Sequence, residues 1–398
     1  MNHSSSHFTA QDKAFMQQAL LLAEQGHYNT SPNPRVGCVL VIDDKVIGEG
    51  FHYQAGQGHA EVNALASIST NASAVVNAQG ATAYVTLEPC SHYGRTPPCA
   101  EGLINAGVKH VVIAMVDPNP QVAGRGITLL NKAGITTQVG LFEEEANALN
   151  VGFINLMTTG LPFVRCKMAA SLDGKTAMAN GESQWITSSA ARSDVQRLRA
   201  QSCAVISGVD SVVFDNAKMN VRYSALLPAV QLKINEQELR QPLRVILDPH
   251  NKLKPNQAST LALFESESPI LIISKSGHHS TDKSHWPDFV EHLGCKTSVG
   301  ANGEDKIDLG DVLVQLAKRG LNDVLIESGA RLAGAFIEQN LVNELILFQA
   351  PKLMGASAKS LVELPHINAL TDAKILKIKE LSLIGEDIRI VASLQSKS

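Results

Sequence analysis

Apolar and polar positions follow two alternating periods along most of the chain. From Ala10 to Gln25 (AQDKAFMQQALLLAEQ) apolar residues recur every three or four positions, which predicts a helix that Thr9 can cap. SPNPRVG reads as a turn, and VGCVLVI, DDKV and IGEGF read together as a hairpin. GHAEVNALASI predicts a helix and ATAYVTLE a strand. PPCAEGLINAG begins with prolines and ends with glycine, the usual asymmetry of a helix. HVVIAMVD predicts a strand, VAGRGITLLNKAG a helix and TTQVGLF a short strand. EEEANALNVGFINLMTT predicts one helix, its acids in the first turn where the helix dipole favours them.

TTGLP, residues 158–162, interrupts this series, and a second one begins. FVRCKMA predicts a strand, SLDGKTAM a loop and SSAARSDVQRLRAQ a helix. CAVISG, PLRVILD, PILIIS and NDVLIES read as buried strands, GARLAGAFIEQN as a helix and NELILFQAPKLM as a long strand. Strands alternating with helices predict α/β layers in both halves. There is no internal repeat.

Length supports the division. A chain of 398 residues exceeds one ordinary core, so two domains are expected, over 1–155 and 160–398. With 44% hydrophobic and 18% charged residues, the composition is that of a soluble globular protein. No apolar run approaches the roughly 20 residues that span a bilayer. The opening MNHSSSHFTAQDK has no apolar core of a secretory signal and reads as a disordered leader. A net charge of −4 without a basic block argues against a nucleic-acid surface. The six cysteines, scattered without an export signal, predict reduced thiols in a cytoplasmic protein. Cys38, Cys166 and Cys203 lie in apolar runs and read as core thiols; only Cys90 and Cys99 sit among turn formers.

Those two cysteines carry candidate chemistry. Catalytic zinc takes three protein ligands and keeps one position for water. His59 of GHAEVNAL, Cys90 of TLEPC and Cys99 of PPC would supply three, with His92 the only rival nearby. Glu61 would then serve as general acid and base beside the metal. In mid-helix, residues two apart point about 200° away from each other, so His59 and Glu61 converge only if His59 stands at the helix start. Cys99 follows Pro97-Pro98 at another expected helix start, where thiolate is favoured. H-x-E … P-C … C is the pattern of zinc deaminases, whose cysteines are usually two residues apart; here eight residues intervene.

SPNPRVG, GHAEVNAL, TLEPCSHYGRTPPC, MAASLDGKTA, GESQWITS and LRAQ together resemble the bifunctional deaminase–reductases of riboflavin biosynthesis, the RibD type, from about residue 10 to about 395. The resemblance implies a cytidine-deaminase-like three-layer α/β/α domain followed by a dihydrofolate-reductase-like α/β domain. It implies Zn2+ and NADPH as cofactors, a pyrimidine nucleotide as substrate and a homo-oligomer. The first domain would deaminate 2,5-diamino-6-ribosylamino-4(3H)-pyrimidinone 5′-phosphate, and the second would reduce the ribosyl group of the product. Asn33 and His52 would contact the first substrate, and Arg95 would meet its phosphate. As alternatives, Asn33 could cap a turn, His52 could be a satisfied loop histidine and Arg95 a solvated charge. In the second domain Ala169, Trp185, Ser211, Asp215 and the run Gly329, Ala330, Arg331, Leu332, Ala333, Gly334 and Ala335 would line the NADPH site. Lys167, Ser183, Arg199, Met219, Arg222 and Glu327 would hold substrate, with Arg199 and Arg222 suited to phosphate. Lys167, Asp215 and Glu327 are the candidate proton carriers. Trp185 could instead be core and Arg199 a surface charge.

One departure stands out. Where the family usually reads Asp-Asp-Pro-x-Leu-Thr-x-Arg, this chain has Asp215-Asn216-Ala217-Lys218-Met219-Asn220-Val221-Arg222. Loss of the proline predicts a looser loop, with Lys218 adding a cation near the phosphate. Two competing readings remain at this point. One is a zinc deaminase of another base or of RNA with a non-catalytic second domain, which a basic face would favour. The other is a binding protein with a structural zinc, which Glu61 beside an open ligand position opposes.

Overall fold

The computed structural model describes residues 8–68, 77–93, 97–277, 285–299 and 304–395. The chain divides into two compact units, Met1–Gly160 and Leu161–Ser398.

The first unit holds a five-stranded sheet. Its strands are β1 (Gly37–Ile42), β2 (Lys45–Phe51), β3 (Thr82–Val85), β4 (His110–Ile113) and β5 (Thr136–Val139), in the order β2-β1-β3-β4-β5. β1 runs antiparallel to β2 and β3, while β3, β4 and β5 are parallel. Asp43 and Asp44 turn the hairpin with positive φ at both positions, as a tight two-residue turn requires. Helices α1 (Ala10–Gln25) and α2 (Ala60–Ser67) cover opposite faces of the hairpin. α1 begins in a capping box between Thr9 and Asp12. α2 lies so close to β2 that a Cβ on Gly50 would sit 2.4 Å from the Ala64 nitrogen. Helices α3 (Cys99–Asn105) and α4 (Arg125–Lys132) complete the layers.

The helix expected over residues 143–159 is two, α5 (Glu143–Leu149) and α6 (Val151–Thr159). Asn150 breaks it. Its Oδ1 accepts from the Arg35 N–H at 2.8 Å, and its Nδ2 donates to the Arg35 carbonyl at 3.0 Å. A buried asparagine thus pairs a loop backbone as a strand neighbour would, a competition that disfavours uninterrupted helix.

The second unit is built on a nine-stranded sheet. Its strands are β6 (Phe163–Ser171), β7 (Ala204–Gly208), β8 (Leu243–Leu247), β9 (Ile270–Lys275), β10 (Val290–Cys295), β11 (Asp323–Glu327), β12 (Glu344–Ala350), β13 (Leu376–Ile384) and β14 (Asp387–Leu394). The order is β10-β9-β8-β7-β11-β6-β12-β14-β13. The strands from β10 to β12 are parallel, and the β13–β14 hairpin joins antiparallel. Apolar clusters that include Cys166, Leu325, Phe336 and Phe348 fill the space between the sheet and its helices. Those helices include α7 (Ser189–Gln201), α8 (Val209–Asp215), α9 (Leu309–Lys318) and α10 (Ala330–Glu338). Part of the expected loop SLDGKTAM is a short strand, Lys175–Ala177, paired with Lys359–Ser360.

Candidate active site

Two helix starts and one strand end converge in the first unit. His59 is the extended N-cap of α2, outside the helix proper, and Glu61 lies in its first turn. That geometry removes the half-turn separation that two helical positions would impose. Cys99 is the first residue of α3, and Cys90 follows the end of β3. The Cys99 N–H donates to the Cys90 sulfur at 3.2 Å, and the Ala100 N–H to the Cys90 carbonyl at 3.2 Å. His59 Nδ1 lies 3.3 Å from the Cys99 sulfur and 3.6 Å from that of Cys90. One donor atom from each residue falls within 4.8 Å of the others, and among the described residues this is the one such group of histidine, cysteine or carboxylate side chains.

The electrostatics suit metal and proton transfer. The adjoining Cys99 thiol and its N–H, with His59, hold the Cys90 thiol well below its ordinary value, towards the thiolate that binds metal. Burial pushes the Glu61 carboxyl up to about 7, into the range of a working acid–base group. The hydrogen bond between the two sulfurs, with burial, raises the Cys99 thiol, so the pair holds one proton between two sulfurs. An imidazole and two cysteine sulfurs are a donor set for zinc, and their spacing admits one ion.

Around this cluster the other expected residues take distinct places. His52 is 3% exposed, and both its ring nitrogens are engaged within the protein. Nε2 lies 3.0 Å from the Asn33 amide nitrogen and Nδ1 3.0 Å from the Gly58 carbonyl. The amide donates, so Nε2 accepts and Nδ1 carries the proton to Gly58. Burial, the main cause, holds the His52 pKa below its usual value and so favours this neutral form. Arg95 lies outside the described residues. Glu88, read from the sequence only as part of a strand end, is buried and accepts from the N–H groups of Asp117, Gly124, Gly126 and Ile127. No periodicity signals such a role, because its partners are main-chain groups 29 to 39 residues away.

In the second unit, Glu327 at the end of β11 takes both forks of Arg199, Nε at 2.6 Å and Nη2 at 2.8 Å. The third Arg199 nitrogen donates to the Asn220 carbonyl at 3.0 Å. Arg199 is therefore neither a solvated charge nor a free phosphate fork. Arg222 is exposed and has no ion pair among the described residues. Lys167 is nearby on β6; burial lowers its pKa, opposed by Glu327. Burial raises the Asp215 pKa against a hydrogen bond from Ser183 and the charge of Lys167, which groups those three side chains. Ser211 stands beside Gly329, 3.5 Å from where a Cβ would be. Trp185 is 63% exposed under the Arg192 guanidinium, which excludes the core reading.

Two placements differ from expectation. Met219 is 2% exposed and its side chain belongs to the core, which leaves only its backbone to a ligand. The run Gly329–Ala335 is the N-cap and opening turns of the expected helix, α10, and only part of it is open to a ligand. Ala333 and Gly334 face inward, where a Cβ on Gly334 would lie 1.9 Å from the Glu363 carbonyl. Gly329, Ala330 and Arg331 hold the open end.

The 216–218 departure is tied down rather than loose. Asn216 adopts φ +46, a conformation asparagine tolerates, and its Oδ1 accepts from the Ala262 N–H at 2.8 Å. Lys218 pairs with Glu265 at 2.5 Å, which offsets its charge. Buried Arg244 donates to the carbonyls of Lys218, Leu263, Ser266 and Ser268.

The comparisons with known proteins agree in both units. Residues 9–115 match the cytidine and deoxycytidylate deaminase zinc-binding region, and residues 162–389 match the RibD C-terminal domain. The riboflavin biosynthesis protein RibD of Haemophilus influenzae is 47% identical over 383 residues, 96% of this chain and 97% of that protein. The chain belongs to the RibD family. A solved RibD of Acinetobacter baumannii superimposes with a TM-score of 0.84 at 44% identity, over 97% of this chain and 99% of that one. A diaminohydroxyphosphoribosylaminopyrimidine deaminase/5-amino-6-(5-phosphoribosylamino)uracil reductase of Thermotoga maritima gives 0.80 at 30% identity, over the same shares. As a RibD-family chain, it is a bifunctional enzyme of riboflavin biosynthesis, with a zinc-binding deaminase domain followed by a reductase domain. This sets aside both the RNA-directed and the non-enzymatic readings.

Proposed function

We propose that the first unit deaminates 2,5-diamino-6-ribosylamino-4(3H)-pyrimidinone 5′-phosphate and that the second reduces the ribosyl group of the product with NADPH. The observation that carries the first half is the meeting of His59, Cys90 and Cys99 beside the buried Glu61. His59, Cys90 and Cys99 would hold the ion. Zinc, when bound there, supplies a Lewis acid that brings the pKa of water from about 15.7 towards 7. Glu61 takes the proton of the attacking water and returns it to the departing amine, so water enters and ammonia leaves. Asn33, oriented by neutral His52, presents its amide oxygen to the pyrimidine. Arg95 meets the phosphate.

In the second unit, Ala169, Trp185, Ser211, Asp215 and the open end of α10 receive NADPH, with small residues and helix N–H groups suited to its phosphates. Lys167, Ser183 and Glu327 surround the ribosyl carbon that accepts hydride, with Glu327 held in place by Arg199. Arg222 is the guanidinium left to grip the substrate phosphate. We place the protein in the cytoplasm: all six cysteines are free, and no helix of the described residues is long and apolar enough to cross a membrane. Exposed Ile378, Leu381 and Leu383 on edge strand β13 support assembly of a homo-oligomer.

The test gives the purified protein the diaminopyrimidine nucleotide with and without NADPH. Ammonia release is followed separately from the loss of NADPH absorbance. Chelation should abolish the first, zinc should restore it, and reduction of supplied deaminated product should persist throughout. Absence of ammonia release from the zinc-loaded protein would overturn the proposal.

A further inference from the structure

Glu88 is 5% exposed, and among the described residues its carboxylate is bound by backbone alone. Oε1 accepts from the N–H groups of Gly126 at 2.8 Å and Ile127 at 3.3 Å. Oε2 accepts from Gly124 at 2.9 Å and Asp117 at 3.2 Å. Its own N–H donates to the Met115 carbonyl at 3.0 Å. One side chain thereby joins three segments: the strand exit that carries Cys90, the loop after β4 and the first turn of α4. The N-cap of α4 is Gly124, which has no side chain to cap with, so Glu88 supplies the acceptor from a distant part of the chain. The close fit is visible at Gly126, where a Cβ would lie 2.0 Å from the Pro89 carbonyl and 3.2 Å from Glu88 Oε1.

A small cavity with room for about one water molecule opens at this junction. Cys90, Ser91 and His92 line it on the Glu88 side of the chain, and Asp117 and Val122 line it from the loop after β4. Glu88 is the group that spans from one set of residues to the other. Beyond the β3–β4 ladder and the main-chain bond to Met115, the hydrogen bonds of this one carboxylate tie the chain that carries Cys90 to the Asp117 loop.

We propose that Glu88 is a positioning residue of the deaminase, which fixes Cys90 against the Asp117 loop and so sets both the metal geometry and the width of the adjoining cavity. This rests on the reading of His59, Cys90 and Cys99 as the metal site. Glutamine is nearly the same size but replaces one acceptor oxygen with an NH2 group that would face backbone N–H groups. One pair of bonds, to Gly126 and Ile127 or to Gly124 and Asp117, is then lost. Outer partners of metal ligands typically change activity or metal affinity 10- to 100-fold when altered.

The experiment compares wild type and Glu88→Gln, each loaded with cobalt(II) and with zinc. The cobalt–thiolate bands of the wild type test the metal site itself; their absence overturns that reading independently of Glu88. Given those bands, Glu88→Gln should shift them, lower deaminase kcat/KM about 10- to 100-fold and leave the reductase rate unchanged. Unaltered bands with unaltered deaminase KM overturn the proposal, whatever happens to kcat. If both activities fall together, Glu88→Asp, which keeps the charge but withdraws it by one methylene, is judged by the same two readouts. Gly126→Ala supplies an independent check. It pushes α4 off Pro89 with Glu88 intact and should reproduce the cobalt shift; unchanged bands there also count against the proposal.

Discussion

Replacing Asn150 with alanine should weaken the deaminase through a loop that Asn150 reaches only by folding. Its amide accepts the Arg35 N–H and donates to the Arg35 carbonyl, and Asn150 is 3% exposed. The substitution removes both of these hydrogen bonds to buried Arg35 backbone, each loss costing about 1–3 kcal/mol. Alanine is also a better helix former than asparagine, which returns about 0.5 kcal/mol by letting α5 and α6 join. The net expectation is about 1.5–5.5 kcal/mol of lost stability, confined to the first unit. Because Asn33 lies two residues before Arg35, the deaminase KM should rise more than kcat falls. Denaturant unfolding separates the units, since both tryptophans, Trp185 and Trp286, lie in the second. Ammonia release should fail at lower denaturant in Asn150→Ala, while the tryptophan fluorescence transition stays where it is. A loss under about 1 kcal/mol with KM unchanged would refute the reasoning.

Glu61→Gln should lower deamination by about 10²–10⁴-fold and leave reduction of supplied product intact, as followed by ammonia release and NADPH absorbance. Burial raises the Glu327 pKa, but Arg199 outweighs it and the net value falls below the ordinary 4.5. Its stabilising contribution is therefore complete above 4.5 and is lost as pH falls through the lower folded value. At neutral pH Glu327→Gln should cost the second unit about 3–5 kcal/mol by leaving Arg199 unpaired; the gap to wild type, read by tryptophan fluorescence, should narrow on acidification. Asn216→Ala should cost the same unit about 2 kcal/mol, from a left-handed backbone and a lost hydrogen bond. Asn216→Gly should cost less, because glycine accepts that φ freely.

Most of the fold was legible along the chain because its elements advertise themselves locally. The capping residue Thr9, the Asp43-Asp44 hairpin turn and the proline-to-glycine span around α3 are short-range signals, and each element formed where it was read. The misses were places where the local signal is faint or overridden. The β13 strand carries a bulge between Ile378 and Glu380, which shifts the phase of its alternation, and its apolar side chains are exposed. The α5–α6 break depends on Arg35, 115 residues upstream of Asn150.

The candidate site divides along the same line. Residue chemistry by itself determined that His59, Glu61, Cys90 and Cys99 could make a zinc site, because soft thiolates, imidazole and a nearby carboxylate have few other uses in that spacing. Only the tertiary structure decided that His59 stands outside its helix, so that Glu61 is not carried to the opposite face. Likewise, Arg199 is a plausible phosphate ligand until the fold brings Glu327 to 2.6 Å, and Lys218 a plausible phosphate neighbour until Glu265 reaches it. Met219 became core and Glu88 became a hub for the same reason. Periodicity records which way a residue faces within its own element, whereas the partner of a buried charge or amide is chosen by elements far away in the chain.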